Sequence, residues 1–430
     1  MRFLFNSKEV QEEFKVSPKD WSRKRLLEFS TVTILILYNY KSPIQNKLNR
    51  FYKVMSKVFN VPTSSAYTQA RKKLKPEFYE YMNTELLNIY YETYSEEDDI
   101  EKGYFKGRRL IGLDASIINL PDTDETRKRY NLHPCGIPGK ERVQALGSFL
   151  YDLLNELVIS VSLEERKSEE KFLFENHNSK LKSGDILTMD RGYGSYRVLS
   201  FCNKNEIDYV LRFSNNTFNE VNSFLKSKEK QSIIEIAISK SKKGLIEKEG
   251  LVEKVKLRLV KVELPTGETE ILGTSLLDEE EYPIEIFKDL YHKRWGIETY
   301  FNRIKNIYEV ERFSSTSIQN ILQDFYGIIF LSNIESMVSK EAGEELNEEN
   351  NKFTGTTEYS VNHSVSYSAM IDYSTELFVD ERRDIEEVLE ELKHFLKKNP
   401  ILKRPGRSTE RKELTPNEKL WYQKYNKKIS

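Results

Sequence analysis

Residues 110–121 read LIGLDASIINLP, and the fold depends on how this run connects to those after it. An apolar start, an acid at 114 and β-branched residues beyond it predict an extended strand. RVQALGSFLYD (142–152) and NELVISVSL (155–163) follow with turn-like connections, which predicts three consecutive antiparallel strands. A helical stretch over about 168–182 leads to DILTMD (185–190), a short apolar strand that stops at the glycine-containing turn RGYGS (191–195). Another helix and the strand DYVLRF (208–213) complete the order β-β-β-α-β-α-β, an α/β mixed-sheet core.

Beyond this core, residues 214–284 are rich in Lys and Glu and contain β-like runs such as KVKLRLVKVEL (254–264) and ETEILGTSLL (268–277), so they read as a β-rich insertion. The chain then returns to helix at YHKRWGIETYFNRIK (291–305), and residues 285–340 are assigned to the C-terminal helices of the core, whose first part is 104–213. Residues 1–103 read as a helical region. VPTSSAYTQARKKL (61–74) supplies a sharp break and then a helix start at Pro62 and Thr63, followed by Gln69, Arg71, Lys72, Lys73 and Lys75. A helix–turn–helix DNA reader fits this pattern, and so does a helical hairpin with a basic solvent face. Residues 341–430 read as a polar, partly helical region with a mobile basic end, KKNPILKRPGRSTERK (397–412).

With 430 residues, 38% hydrophobic and 12% aromatic, the chain can bury real cores in two or three domains. Cys135 and Cys202 are the only cysteines, too few for a disulfide framework, and the first residues, MRFLFNSKEVQEEF, lack the apolar run of a secretory signal. The expected setting is a reducing cytoplasm. No apolar run approaches the roughly 20 residues that cross a bilayer, so no membrane contact is expected. The net charge of −1 conceals asymmetry: residues 41–80 carry nine Lys or Arg against two acids, and 401–430 carry nine against three. Two basic segments around a neutral body suit contact with a polyanion.

Asp114 follows IGL and Asp190 follows LTM, and carboxylates at strand ends of an α/β sheet point into the crevice where ligands bind. Taken singly, each acid is more often a turn or capping residue than a ligand. On one continuous helix, at about 100° per residue, Tyr291, Arg294, Glu298 and Lys305 form a single stripe, with Leu290, Ile297, Phe301, Ile304 and Tyr308 on the neighbouring, buried sector. The Arg294–Glu298 spacing also suits an ordinary helix-stabilising pair. If Glu298 joins Asp114 and Asp190, the site offers only hard oxygen ligands, which suits Mg²⁺ or Mn²⁺ and not zinc. Two such ions at about 3.5–4 Å separation activate a water and stabilise the leaving oxygen of a phosphodiester. His133 and Cys135, two residues apart, are expected to be loop residues and not a zinc pair.

The segments LDAS at Asp114, MDRGY at Asp190–Tyr193, and Y-x-x-R-x-x-x-E-x-x-x-x-x-x-K at Tyr291, Arg294, Glu298 and Lys305 resemble the signature of the insertion-sequence-4 family of DDE transposases. The resemblance covers about residues 105–340 and extends weakly to SSAYTQARKKL. It implies an RNase H-like core interrupted by a β-rich insertion, in an enzyme that is dimeric on DNA, binds terminal inverted repeats and cuts and joins double-stranded DNA with two divalent metal ions. Asp114, Asp190 and Glu298 would be both the catalytic residues and the metal ligands. Tyr291, Arg294 and Lys305, together with Arg191, would contact DNA, with Arg71, Lys72 and Lys73 as basic contacts from the N-terminal region.

One departure concerns the tryptophans. Family members that form a DNA hairpin stack a flipped base on a tryptophan in the insertion, but here tryptophan occurs only at 21, 295 and 421. Phe213 and Phe218 offer π faces, although core packing is their expected use, and Trp295 is expected to pack against the core edge. Two other function classes stand beside an active transposase. One is a metal-dependent nuclease of the same fold without strand transfer; the other is a transposase-derived DNA-binding protein, against which the intact acids argue.

Overall fold

The computed structural model describes residues 1–23, 25–55, 60–96, 103–167, 169–238, 244–264, 267–351, 358–380 and 382–403. The chain divides into two compact units: one comprises Met1–Tyr90, Ile118–Ala145 and Asn302–Ser430, the other Tyr91–Ile117 and Leu146–Phe301.

The second unit is built on a sheet whose strands are β1 (Leu110–Asn119), β3 (Glu141–Asp152), β4 (Leu157–Glu164), β5 (Ile186–Met189), β6 (Asp208–Phe213), β7 (Gln231–Ala237), β8 (Lys254–Glu263) and β9 (Thr269–Thr274). They lie in the order β4-β3-β1-β5-β6-β9-β8-β7, and the short β2 (Leu132–Pro134) also pairs with β3. The Leu153 N–H donates to the Leu110 carbonyl, so β3 ends where β1 begins and the two run antiparallel. β5 pairs parallel with β1 and β6 parallel with β5. Three antiparallel strands followed by two parallel ones is the RNase H-like arrangement, and the predicted strand order is correct. The central strand β5, ILTM, is buried along its whole length, as a parallel strand covered on both faces must be.

The insertion is β-rich as expected, but it is not a separate layer. β9 pairs antiparallel with β6, so the insertion extends the core sheet. Where β6 and β9 meet, a Cβ added to Gly273 would lie 2.1 Å from the Phe213 ring. Gly273→Ala should therefore overpack this seam and destabilise the unit by about 1–3 kcal/mol, read as a lower urea midpoint. Phe213 packs edge to face on Phe218, with ring centroids 5.7 Å apart, which makes both part of the apolar core.

The first unit is helical. Its helices are α1 (Arg2–Asn6), α2 (Lys8–Phe14), α3 (Phe29–Leu37), α4 (Ile44–Val54), α5 (Ser64–Arg71) and α6 (Glu77–Glu96), with α7 (Asp124–Tyr130) following β1. Phe78 gathers Phe5, Phe14 and Phe29 around it at centroid distances of 5.6, 5.8 and 5.3 Å, an aromatic centre that ties α1, α2, α3 and α6 together. α5 starts as predicted, with the Thr63 hydroxyl accepting the Ala66 N–H at 3.2 Å.

The region predicted to be polar and partly helical is more ordered than its composition implies. The helix Ile318–Asn351 is followed by His363–Phe378 and Ile385–Lys397, and the last of these buries Val388, Leu392 and Leu396 completely. Residues 404–430, most of the predicted mobile basic end, lie outside the described residues. Among the described residues no helix is long and apolar enough to cross a membrane.

Candidate active site

Sheet register brings the first two acids together. Leu113 of β1 is level with Met189 of β5, and Met189 is level with Leu211 of β6. One residue further on, Asp114, Asp190 and Arg212 therefore form the next row, with neighbouring strands about 4.8 Å apart. Past Met189 the parallel pairing of β5 ends, and the chain turns through the short 3₁₀ segment Arg191–Tyr193. Asp190 caps that segment, accepting the Gly192 N–H through Oδ1 at 2.6 Å. The capping reading and the site reading of this acid thus describe the same residue. Asp114 accepts the Ala115 N–H through Oδ1 at 2.8 Å. Burial pushes the Asp114 carboxyl up to about 6. The charges of Asp190 and Glu298 add to that push, whereas the Ala115 N–H and Arg294 pull the other way.

Glu298 reaches the row through a guanidinium. Arg294 donates from one terminal nitrogen to Asp114 Oδ2 at 3.2 Å and from the other to Glu298 Oε1 at 2.8 Å. Its side chain is only 6% exposed, against 21% for Asp114 and 25% for Glu298. The Tyr291 and Trp295 rings flank it, with the guanidinium carbon 5.6 and 5.4 Å from their centroids. Its remaining nitrogen, Nε, is buried and has no hydrogen-bond partner among the described residues.

The segment that carries these residues is not one continuous helix. It consists of α12 (Ile286–His292) and α13 (Trp295–Asn306), counted after α8 (Glu169–Phe172), α9 (Tyr196–Lys204), α10 (Asn219–Lys226) and α11 (Gly244–Glu249). At the joint the backbone tightens: the N–H groups of Arg294, Gly296 and Ile297 donate to the carbonyls three residues back. Arg294 lies in the joint itself, so the single polar stripe is replaced by two helix ends that meet at the arginine. The buried sector is correct, since Leu290, Ile297, Phe301, Ile304 and Tyr308 are all buried.

Tyr291 is buried, and burial pushes its hydroxyl up to about 12; the hydroxyl has no hydrogen-bond partner among the described residues. Arg191 is exposed beside Asp190. Lys305 is half-buried, seven residues beyond Glu298 on α13, and belongs to the helical unit. Trp295 is 45% exposed, and its ring lies against the buried Arg294 guanidinium.

The basic contacts assigned to α5 need correction. Arg71 is buried, 2% exposed, and is bound inside the helical unit to Asp324 at 2.7 Å, to Gln323 at 2.6 Å and to the Asn320 carbonyl at 2.8 Å. Its guanidinium is committed to a buried ion pair within the helical unit, where the sequence pattern predicts a solvent-facing cation. Lys73 stands 4.0 Å from Asp20, which leaves Lys72 as the exposed cation of the three. His133 contacts the Tyr130 carbonyl and Cys135 the Lys140 carbonyl, both in the helical unit.

Arg212 was not anticipated. It is held by Glu270 at 2.5 Å, and its charge acts on Tyr291 and feels Asp190. The signal was present, since IGL-Asp, LTM-Asp and YVL-Arg repeat one pattern of three residues and then a charge.

Three carboxylates supply the hard oxygen donors that Mg²⁺ or Mn²⁺ prefers. As they stand, however, no three His, Cys, Asp or Glu side chains among the described residues are arranged to hold a metal ion. The donor chemistry fits a divalent cation, while a guanidinium takes the position between Asp114 and Glu298.

No curated protein matches the chain. Several solved structures do. One is the cryo-EM structure of a piggyBac transposase synaptic complex with hairpin DNA, 11% identical, covering 95% of this chain and 86% of that one, with a TM-score of 0.44. The family described as Transposase DDE domain matches residues 105–334. That span exceeds half of the 430 residues and contains Asp114, Asp190 and Glu298, so the chain belongs to the family of transposase DDE domains.

Proposed function

We propose that this chain is a transposase of the insertion-sequence-4 group that cuts double-stranded DNA at the terminal inverted repeats of its own element and joins the ends to target DNA. The observation that carries the reading is the row across β1 and β5, which sets Asp114 beside Asp190, with Glu298 joined to Asp114 through one arginine. Asp114, Asp190 and Glu298 would hold two Mg²⁺ ions, or Mn²⁺. When bound, such ions supply the activation of a water or a 3′-hydroxyl and the stabilisation of the leaving oxygen.

The chain's other residues orient the DNA. Arg294 has a planar fork suited to a phosphate, and the Tyr291 hydroxyl is a donor without a partner among the described residues. Arg191, exposed beside Asp190, and Lys305 on α13 act as further phosphate contacts. Cutting two ends that are then joined to one target calls for a homodimer on DNA. The expected setting is the cytoplasm, on DNA.

The test uses a duplex that carries the natural DNA flanking the gene. With Mg²⁺ the protein should nick one position at each boundary, a chelator should prevent it, and the nicked ends should join to a second plasmid. Nicking without joining would identify a metal-dependent nuclease instead, and neither activity would overturn the reading. DNA affinity should also fall steeply with added salt, and Lys72→Ala should lower the slope of log K against log salt by roughly one if Lys72 neutralises a phosphate.

A further inference from the structure

We propose that Arg294 is a built-in counter-cation that closes the carboxylate site when no metal is present and must leave it for metal to enter. The inference rests on the metal-site reading above and goes beyond it, because it gives Arg294 two alternating partners. The atoms dictate the competition. Arg294 binds Asp114 Oδ2 and Glu298 Oε1, one oxygen of each of two carboxylates that would hold the ion.

The charges of Asp190 and Glu298 both act on the partly buried Asp114, and such acids repel one another unless a positive charge lies among them. A guanidinium that donates to two carboxylates at once offsets part of their charge and spaces them apart. This also accounts for the three acids not standing in a metal-holding group as the chain now lies. Arg294 is well placed to change partners. It lies in the tightened joint between α12 and α13, its contacts with the Tyr291 and Trp295 rings involve no hydrogen bond, and its Nε has none among the described residues to hold it. Displaced by metal, the same fork is available to a DNA phosphate, so metal loading and DNA grip become one step.

The test needs no DNA and no turnover. Wild type, Arg294→Gln, Arg294→Lys and Asp190→Asn are titrated with Mn²⁺ while free Mn²⁺ is counted by electron paramagnetic resonance. Thermal unfolding is then followed in chelator and in saturating Mn²⁺. Without the competing guanidinium, Arg294→Gln should bind Mn²⁺ about tenfold more tightly than wild type, or better. It should unfold at a lower temperature than wild type in chelator, and Mn²⁺ should restore the difference.

Arg294→Lys keeps the charge but loses the fork, so it should bind more tightly than wild type and less tightly than Arg294→Gln. Should Arg294→Gln fail to fold, the Lys variant alone decides: affinity equal to or weaker than wild type overturns the proposal. Equal or weaker binding by a folded Arg294→Gln also overturns it, since Arg294 would then support the metal instead of excluding it. Wild-type binding that Asp190→Asn abolishes supports the metal site independently of Arg294. Wild-type binding that Asp190→Asn leaves unchanged, or no binding at all, removes the metal site and this inference together.

Discussion

Asp190→Asn is expected to lower Mg²⁺-dependent nicking by about a thousandfold or more, because on the proposed reading Asp190 would be a metal ligand and the substitution would remove its charge. The substitution is nearly isosteric, and the amide oxygen can still accept the Gly192 N–H that now bonds to Asp190 Oδ1, so the turn after β5 should survive. Folding and DNA affinity should therefore stay close to wild type, measured by thermal unfolding and gel shift on the same preparation. An Asn variant that nicks within a few-fold of wild type would mean that Asp190 serves only as a cap.

The second large effect lies far from the chemistry. Arg71→Ala should destabilise the helical unit by about 3–5 kcal/mol, since it strands a buried carboxylate. Asp324 lies among three cations, of which Arg71 and Lys47 are buried and Lys41 half-buried: burial alone would raise its carboxyl, but Arg71, Lys41 and Lys47 together hold it below the usual carboxylate range. Losing the arginine also frees Gln323 and the Asn320 carbonyl. Urea unfolding of Arg71→Ala, Asp324→Ala and the double variant would measure this. The double variant should lose much less than the sum of the singles. A loss below about 1 kcal/mol in Arg71→Ala would show that the arginine is not a strut.

These two residues mark what the sequence could and could not disclose. The core strands were legible because each is a short apolar run that ends in a charge or a turn, although α7 and β2 lie between β1 and β3 where a turn-like connection was expected. The acids were legible for the same reason, since their position at the end of an apolar run is local information. Arg71 was misread because its partner, Asp324, lies 253 residues away; locally, QARKKL is a basic run like any solvated face. The break between α12 and α13 was missed because apolar spacing continues across Lys293 and Arg294, and neither residue is a helix breaker. The C-terminal helices were undervalued because average polarity hides a narrow stripe, Val388, Leu392 and Leu396, that is wholly buried. Arg212 escaped notice because a charge at a strand end acquires meaning only when register sets it beside Asp190.

The central claim is that Glu298, carried on a helix, completes a site begun by two acids on neighbouring strands. The most direct measurement is Mg²⁺-dependent nicking of the gene's flanking DNA by Glu298→Gln, with gel-shift affinity taken at the same ionic strength. The variant keeps the size of the side chain and its capacity to accept a hydrogen bond from Arg294. DNA binding retained with nicking lost is the predicted result. A folded Glu298→Gln protein that nicks as fast as wild type would contradict the account, because the third acid would then lie elsewhere.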